Sequence, residues 1–246
     1  MSVLFISDLH LSDERPDQLN LFKDLLHGPA RKAEALYILG DLFEAWAGDD
    51  DLTTPHPEII AALTGFTRAG GRLLLMRGNR DYLLGQDFAR ATGAELINDE
   101  TPIVLHGRKI LLMHGDTLCT KDVPYQLYRR LVNNSFSINL FLQVPFSIRH
   151  RIWHGVRNIT RRTTSRKPPY IIDVYQPAVE KIMRKHDVFD LIHGHTHRQG
   201  VHDFTLNGHP ARRYVLGDWY ENDCILVGDA TGLRMLRVQE YLNGEW

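Results

Sequence analysis

Short apolar runs alternate with amphipathic stretches through the first 120 residues of the chain. Ser2–Ser7 reads as a strand, and Asp17–His27 as a helix with Leu21, Phe22 and Leu25 on one face. Ala35–Leu39 is an apolar strand, and Glu58–Ala69 has helical spacing ended by the Gly70-Gly71 pair. Arg72–Met76 and Ile110–Met113 are strand-like again. This strand–helix–strand rhythm predicts a layered α/β fold. After residue 172 the pattern gives a helix at Val174–His186 and a buried strand at Phe189–Ile192. The rest is β-rich, with Tyr214–Leu216, Cys224–Val227 and Leu233–Val238 separated by the turn residues Gly217-Asp218, Gly228-Asp229 and Gly232.

Residues 123–172 break that rhythm. Their apolar positions cluster with helical spacing, and their end, TRRTTSRKPP, reads as a mobile loop. The expected organisation is a body built from 1–122 and 173–246 with a helical cap, 123–172, inserted between its halves. Charge sharpens the division. The formal net charge is −1, yet Val123–Ile172 holds no Asp or Glu. Nine of the 29 basic residues fall there, which leaves 20 against 30 acidic residues in the body. An acidic body carrying a basic insertion suggests a phosphate-bearing partner: nucleotide, nucleic acid or anionic membrane. No apolar run reaches the ~20 residues that span a bilayer. The opening MSVLFISDLH, cut by Asp8, reads as a first strand and not as a leader. Cys119 and Cys224 are the only cysteines, and two free thiols fit the reducing cytoplasm.

Five polar motifs follow apolar strands: Asp8-Leu-His10, Gly40-Asp41, Gly78-Asn79-Arg80-Asp81, His114-Gly115-Asp116 and Gly194-His195-Thr196-His197. Ligands of open α/β sheets bind beyond the carboxyl ends of the strands, so five such ends converge on one cleft. Alternate residues of D-x-H and of H-x-H point the same way. Aspartate and imidazole suit Mn, Fe, Zn or Co, and Asp41 is suited to bridge two ions. Two such ions clamp a phosphoryl group and activate water. The other histidines lack this context. His193, on the strand itself, is read as a buried structural residue.

In that order these motifs resemble the calcineurin-like metallophosphoesterase superfamily over about residues 1–120 and 173–220. The resemblance implies a four-layer α/β-β-sandwich-α/β metallophosphoesterase fold, here with a helical cap insertion. It implies one metal on Asp8, His10, Asp41 and His197, and another on Asp41, Asn79, His114 and His195. The runs YILGDLFEAWAGDD, GNRDYLLG, MHGDTLCTKD and LIHGHTHR are similar, more closely, to the UDP-2,3-diacylglucosamine hydrolase family, over the whole chain. That likeness implies a two-Mn2+ enzyme, peripheral on the cytoplasmic side of the Gram-negative inner membrane. It implies attack of water on the α-phosphorus of UDP-2,3-diacylglucosamine, yielding UMP and 2,3-diacylglucosamine 1-phosphate in lipid A biosynthesis. No nucleic acid and no obligate protein partner is expected. Substrate contacts carried over are Asn79, Arg80, Asp122, Arg157, Thr160, Thr164, Lys167 and His195; threonine at 160 keeps a hydroxyl, whereas threonine at 164 loses an amide.

Arg80 stands where many relatives have histidine. An arginine cannot usefully donate a proton, but it can offset charge. A phosphate leaving group, with a second pKa of about 6, departs unprotonated, so Arg80 favours a pyrophosphate substrate. The alternative is that Arg80 only pairs with Asp81. With His195 beside the nucleophile, these are the expected catalytic residues. Phe136, Phe141, Leu142, Phe146, Ile152, Trp153 and Val156 either line an acyl slot or pack the cap on the body. Phe43–Trp46 is expected to wall the cleft, with Trp46 alternatively plain core, and the remaining cap arginines read as solvated surface. Other readings are a related nucleotide pyrophosphatase or phosphodiesterase, and a nuclease, which the basic segment would serve.

Overall fold

Apolar side chains on both faces of the first strands demand cover on both sides, and the chain supplies it. A computed structural model describes residues 2–164 and 167–245, with the side chains at 154, 157–164 and 169 outside the description. In chain order the body begins β1 (Val3–Ile6), α1 (Pro16–His27), β2 (Ala35–Leu39), α2 (His56–Arg68), β3 (Leu73–Met76), α3 (Gln86–Thr92), β4 (Glu95–Ile97), β5 (Thr101–Leu105) and β6 (Arg108–Met113). Residues 123–172 give α4 (Val123–Val132), α5 (Ser135–Leu142), α6 (Phe146–Thr164) and α7 (Pro169–Ile172). The body resumes with α8 (Gln176–His186), β7 (Asp190–His193), β8 (Gly200–Leu206), β9 (His209–Val215), β10 (Cys224–Asp229), β11 (Gly232–Arg237) and α9 (Val238–Asn243).

Two sheets form. One has the order β11-β10-β1-β2-β3-β4 and the other β5-β6-β7-β9-β8. β1, β2, β3 and β4 run parallel, as do β6, β7 and β9. Alternation along each strand sorts its side chains between layers. Leu4 and Ile6 pack with Phe22, Leu25, Ile59 and Phe66 of α1 and α2 on the outer face of the first sheet. Val3 and Phe5 pack with Ile110, Leu112 and Ile192 between the sheets. Leu111, Met113 and Leu191 meet Val179 and Met183 of α8 on the far side. The result is helix, sheet, sheet, helix: the four layers expected. Each fully buried Leu or Phe contributes about 1.5–3 kcal/mol, and truncating Phe22 to alanine would cost about 3–5 kcal/mol.

Among the described residues, 123–172 hold helices and no strand. Helix α6 is the anchored one. Arg149 is buried, with its guanidinium on the Asp50 carboxylate and the Ala47 carbonyl, so it is a strap and not solvated surface. Trp153 packs against Tyr82, ring centroids 5.2 Å apart. The mobile loop expected from residue 160 is corrected as far as Thr164, because α6 runs on to that residue. Helices α4 and α5 bury no side chain fully. The short elements β4, β5, β8, α3 and α9 were not read from the pattern, which carries only weak periodicity over three to seven residues.

Candidate active site

Each parallel strand hands its next residues to the same rim. Asp8 and His10 follow β1, Asp41 follows β2, Asn79 follows β3, His114 follows β6, and His195 and His197 follow β7. The chain turns sharply there. Asp8, His10, Asp41, His195 and His197 all have positive φ, between 49° and 70°. Left-handed backbone at non-glycine residues costs about 1–3 kcal/mol each and clusters at functional sites. Glycine permits close approach where side chains would collide. A Cβ on Gly78 would lie 2.1 Å from Asp41 Oδ1, and one on Gly194 would lie 2.2 Å from Asp8 Oδ2.

The seven expected ligands come together. His10 Nε2 and His197 Nε2 stand 3.2 Å apart, and His197 Nε2 is 3.4 Å from Asp8 Oδ1. Asn79 Oδ1 lies 3.1 Å from His114 Nε2 and 2.8 Å from His195 Nδ1. Asp41 faces both groups: Oδ2 is 3.8 Å from His10 Nε2 and Oδ1 is 3.7 Å from His114 Nε2. Ligand atoms of Asp8, His10 and His197 lie within 4.8 Å of one another, as do those of Asp8, Asp41 and His114. The donor set fits divalent cations. Asp8 Oδ1 is buried without a hydrogen-bond partner among the described residues, a costly position for a carboxylate oxygen. Two imidazole nitrogens facing each other likewise require a proton or a cation between them.

A second ring of contacts orients the ligands. His114 Nδ1–H donates to the Leu39 carbonyl at 2.9 Å, which turns Nε2 inward. His197 Nδ1 is 3.3 Å from Asp218 Oδ2, and His10 Nδ1 is 3.0 Å from Glu44 Oε2. Tyr220 donates its hydroxyl to that same Glu44 oxygen and stacks on the His10 ring. The Ser7 hydroxyl and the His195 backbone N–H donate to Asp8 Oδ2, and the Arg80 N–H to Asp41 Oδ1. Burial opposes the charged form of Asp8, but His197, His114 and His10 hold it well below the usual carboxylate range. Burial would lower His114 and His197; Asp41, Asp8 and Asp116 instead lift His114 to about 9, and Asp218 and Asp8 lift His197 to about 10. Burial and the neighbouring His114 press His195 down to about 4, so it is neutral.

Five of the seven expected ligands, His10, Asp41, Asn79, His195 and His197, line a cleft of about 660 Å3, while Asp8 and His114 are fully buried. Arg80, Glu44 and Tyr220 line the body side; Asp122, Tyr125, Tyr128, Trp153, Val156 and Lys167 line the cap side. Arg80 is not spent on Asp81, whose carboxylate accepts the backbone N–H groups of Leu42 and Gly78. Lys167 donates to Asp122, which caps α4 through the Tyr125 N–H. The side chains of Arg157, Thr160 and Thr164 lie outside the described residues. Two expectations change. Phe43 and Trp46 stack on each other in the core, at 4.5 Å between centroids, and of that run only Glu44 reaches the cleft. Of the acyl-slot candidates, Phe136 is 77% exposed and Trp153 and Val156 line the cleft. His193 is buried, as expected, between the Arg213 guanidinium and the Gly194 carbonyl.

Residues 1–199 match the family model described as calcineurin-like phosphoesterase. The chain belongs to that family. This phosphoesterase is 46% identical over 233 residues to the UDP-2,3-diacylglucosamine hydrolase of Pseudomonas putida KT2440, covering 95% of this chain and 97% of that one. It is 46% identical to the protein of that name from Azotobacter vinelandii, covering 96% and 98%. The figure is 48% for the one from Pseudomonas paraeruginosa PA7, covering 95% and 98%. An archaeal phosphodiesterase structure aligns over 96% of this phosphoesterase and 99% of its own chain, at a TM-score of 0.47 and 14% identity.

Proposed function

We propose that this phosphoesterase hydrolyses the pyrophosphate bond of UDP-2,3-diacylglucosamine to UMP and 2,3-diacylglucosamine 1-phosphate, a step of lipid A biosynthesis. The observation that carries the reading is the convergence of Asp8, His10, Asp41, Asn79, His114, His195 and His197 on one cleft whose other wall is an apolar and basic cap. The names of relatives 46–48% identical over nearly the whole chain support the substrate.

Two divalent cations, Mn2+ in this reading, would be held by those seven residues and would supply Lewis acidity and an acidified water. The chain's own part follows from position and charge. Arg80 projects into the cleft beside Asp41 and offsets charge gathering on the phosphoryl oxygens. It donates no proton, and a phosphate leaving group needs none. Neutral His195, next to Asn79, steers the attacking water by hydrogen bonding. Lys167, steadied by Asp122, takes the distal phosphate, with Arg157, Thr160 and Thr164 of the same segment as further contacts. Trp153 and Val156 give the cleft an apolar flank for acyl chains.

The enzyme works at the cytoplasmic face of the inner membrane, bound peripherally. Among the described residues no helix is long and apolar enough to cross a bilayer. The cap exposes Leu127, Leu131, Phe136 and Leu140 as well as the basic Arg130 and Arg151, a composition suited to an anionic lipid surface. The decisive test is UMP release from UDP-2,3-diacylglucosamine against UDP-N-acetylglucosamine, with Mn2+ and with chelator. Turnover of the diacylated substrate alone, stopped by chelator, supports the reading. Equal turnover of both, or of a simple phosphodiester only, overturns the substrate and keeps the metal centre.

A further inference from the structure

Helix α4 is an unusual wall for an active site, because it buries no side chain fully. A helix with so little buried apolar surface has low local stability unless polar contacts seat it. Its polar contacts reach the loop after His114, the Asp99 turn and Tyr82, which pairs with Tyr128. Arg129 Nε donates to Asp116 Oδ2, and another nitrogen of the same guanidinium reaches Asp99 Oδ2 at 3.3 Å. The Tyr125 hydroxyl donates to Asp116 Oδ2 at 2.6 Å. Gln126 Nε2 donates to the carbonyls of Asp116 and Cys119 at 2.8 and 3.2 Å. Both carboxylates belong to the surroundings of a candidate ligand: Asp116 is two residues beyond His114, and Asp99 Oδ1 accepts the His114 backbone N–H at 3.1 Å. Tyr125 also lies nearly parallel to the His195 ring, 6.1 Å between centroids.

We propose that Arg129 is a positioning residue that locks helix α4 onto the His114 loop, so that cap seating and cation binding reinforce each other. The inference rests on the reading of His114 and its neighbours as cation ligands. The fork of the guanidinium is what spans two carboxylates; a lysine keeps the charge but presents a single point and can hold only one of them. Reciprocity follows from linkage. If a seated α4 favours the ligand geometry, a bound cation must favour a seated α4 by the same factor.

The test is hydrogen–deuterium exchange on the full chain stripped by chelator, with and without Mn2+, in the native protein and in Arg129→Lys. Arg129→Lys isolates the fork from the charge, and its melting curve checks that it is folded. In the native protein Mn2+ should slow exchange in peptides of 123–132 by about fivefold or more, the low end of typical coupling between sites. In Arg129→Lys that slowing should fall below about twofold, while peptides bearing Asp8, Asp41, His114 and His195 still respond. Exchange in α4 that ignores Mn2+ in the native protein, or that is slowed equally in Arg129→Lys, overturns the coupling alone. Ligand-bearing peptides that ignore Mn2+ overturn the metal centre, and the coupling with it.

Discussion

Loading the metal centre should expel nearly two protons near neutral pH. Without a cation, His114 titrates near 9 and His197 near 10, each lifted by buried carboxylates against the pull of burial. Both therefore carry a proton at pH 7.5. A cation needs the neutral imidazole, so both protons must leave. His195, near 4, has none to give. Displacing one proton per cation removes about 1.5 powers of ten from the apparent affinity of the cation on His114 and about 2.5 from that of the cation on His197, or about 2 and 3 kcal/mol. The sign is fixed: each affinity rises with pH, by up to about tenfold per unit from pH 6.5 to 8, and levels off only above its own histidine's pKa. The assay is calorimetric titration of Mn2+ into chelator-stripped protein in two buffers of different protonation enthalpy; the difference in heat counts the protons. Release of fewer than about one proton, or an affinity flat with pH, would refute the reasoning. It would mean that the carboxylates hold their protonated histidines through binding and that the cation sits elsewhere.

Asp218→Asn, which weakens the hold on His197 Nδ1, should loosen Mn2+ by about 10–100-fold in a chelator competition at a pH above about 10, where His197 is neutral in both proteins, and should lower the melting temperature of the cation-free protein at pH 7, where the same carboxylate holds protonated His197. Asp51 is 2% exposed and is held down to about 2: burial would raise it, but His56, Thr53 and the Ala47 N–H override that. A depressed carboxylate stabilises above its unfolded value and loses that stabilisation as pH falls through the folded one. Asp51→Asn should thus cost about 2 kcal/mol in urea unfolding at pH 7, and roughly half of the gap should be gone by pH 3; a gap constant down to pH 3 contradicts the assignment. Lys167→Ala should raise KM more than it lowers kcat, whereas His10→Asn should act mainly on kcat; steady-state UMP release separates the two, and the reverse pattern would overturn the proposed division of labour.

The ligand loops were legible because each pairs an apolar strand with residue types that have few other uses together. Asp8, His10, Asp41, Asn79, His114, His195 and His197 were all named from that pattern, and their side chains meet. Asp218 was missed although Tyr214-Val-Leu-Gly-Asp218 repeats the form of Tyr37-Ile-Leu-Gly-Asp41. Gly217-Asp218 was read as a turn, since a glycine followed by aspartate serves either purpose. Arg149 was illegible for a different reason: its carboxylate partner, Asp50, lies 99 residues away, and a basic side chain looks the same in sequence whether solvated or buried. Trp46 shows the converse. It follows a ligand closely in sequence, yet the strand end turns it into the core beside Phe43, His56 and Phe88. The left-handed backbone at five ligands is a tertiary property, because aspartate and histidine have no local need of it.

The basic insertion and the acidic body now have a physical relation beyond attraction for a substrate. Part of the hold on residues 123–172 is apolar: Trp153 lies in the core cluster with Tyr82, and Val132, Ile138 and Phe141 pack against that cluster. Charged straps add to it. Arg149 on Asp50 fixes the start of α6, Arg129 on Asp116 and Asp99 fixes α4, and Lys167 on Asp122 closes the cleft wall. Arg149 is nearly dry and holds a main-chain carbonyl as well, so it acts as the permanent anchor. Arg129 and Lys167 keep about a quarter of their side-chain surface in solvent, where water can take over their hydrogen bonds. The partners divide the other way: Asp116 and Asp122 are buried, whereas Asp50 is more than half exposed, so each strap desolvates one of its two charges, the arginine at α6 and the carboxylate at α4 and Lys167.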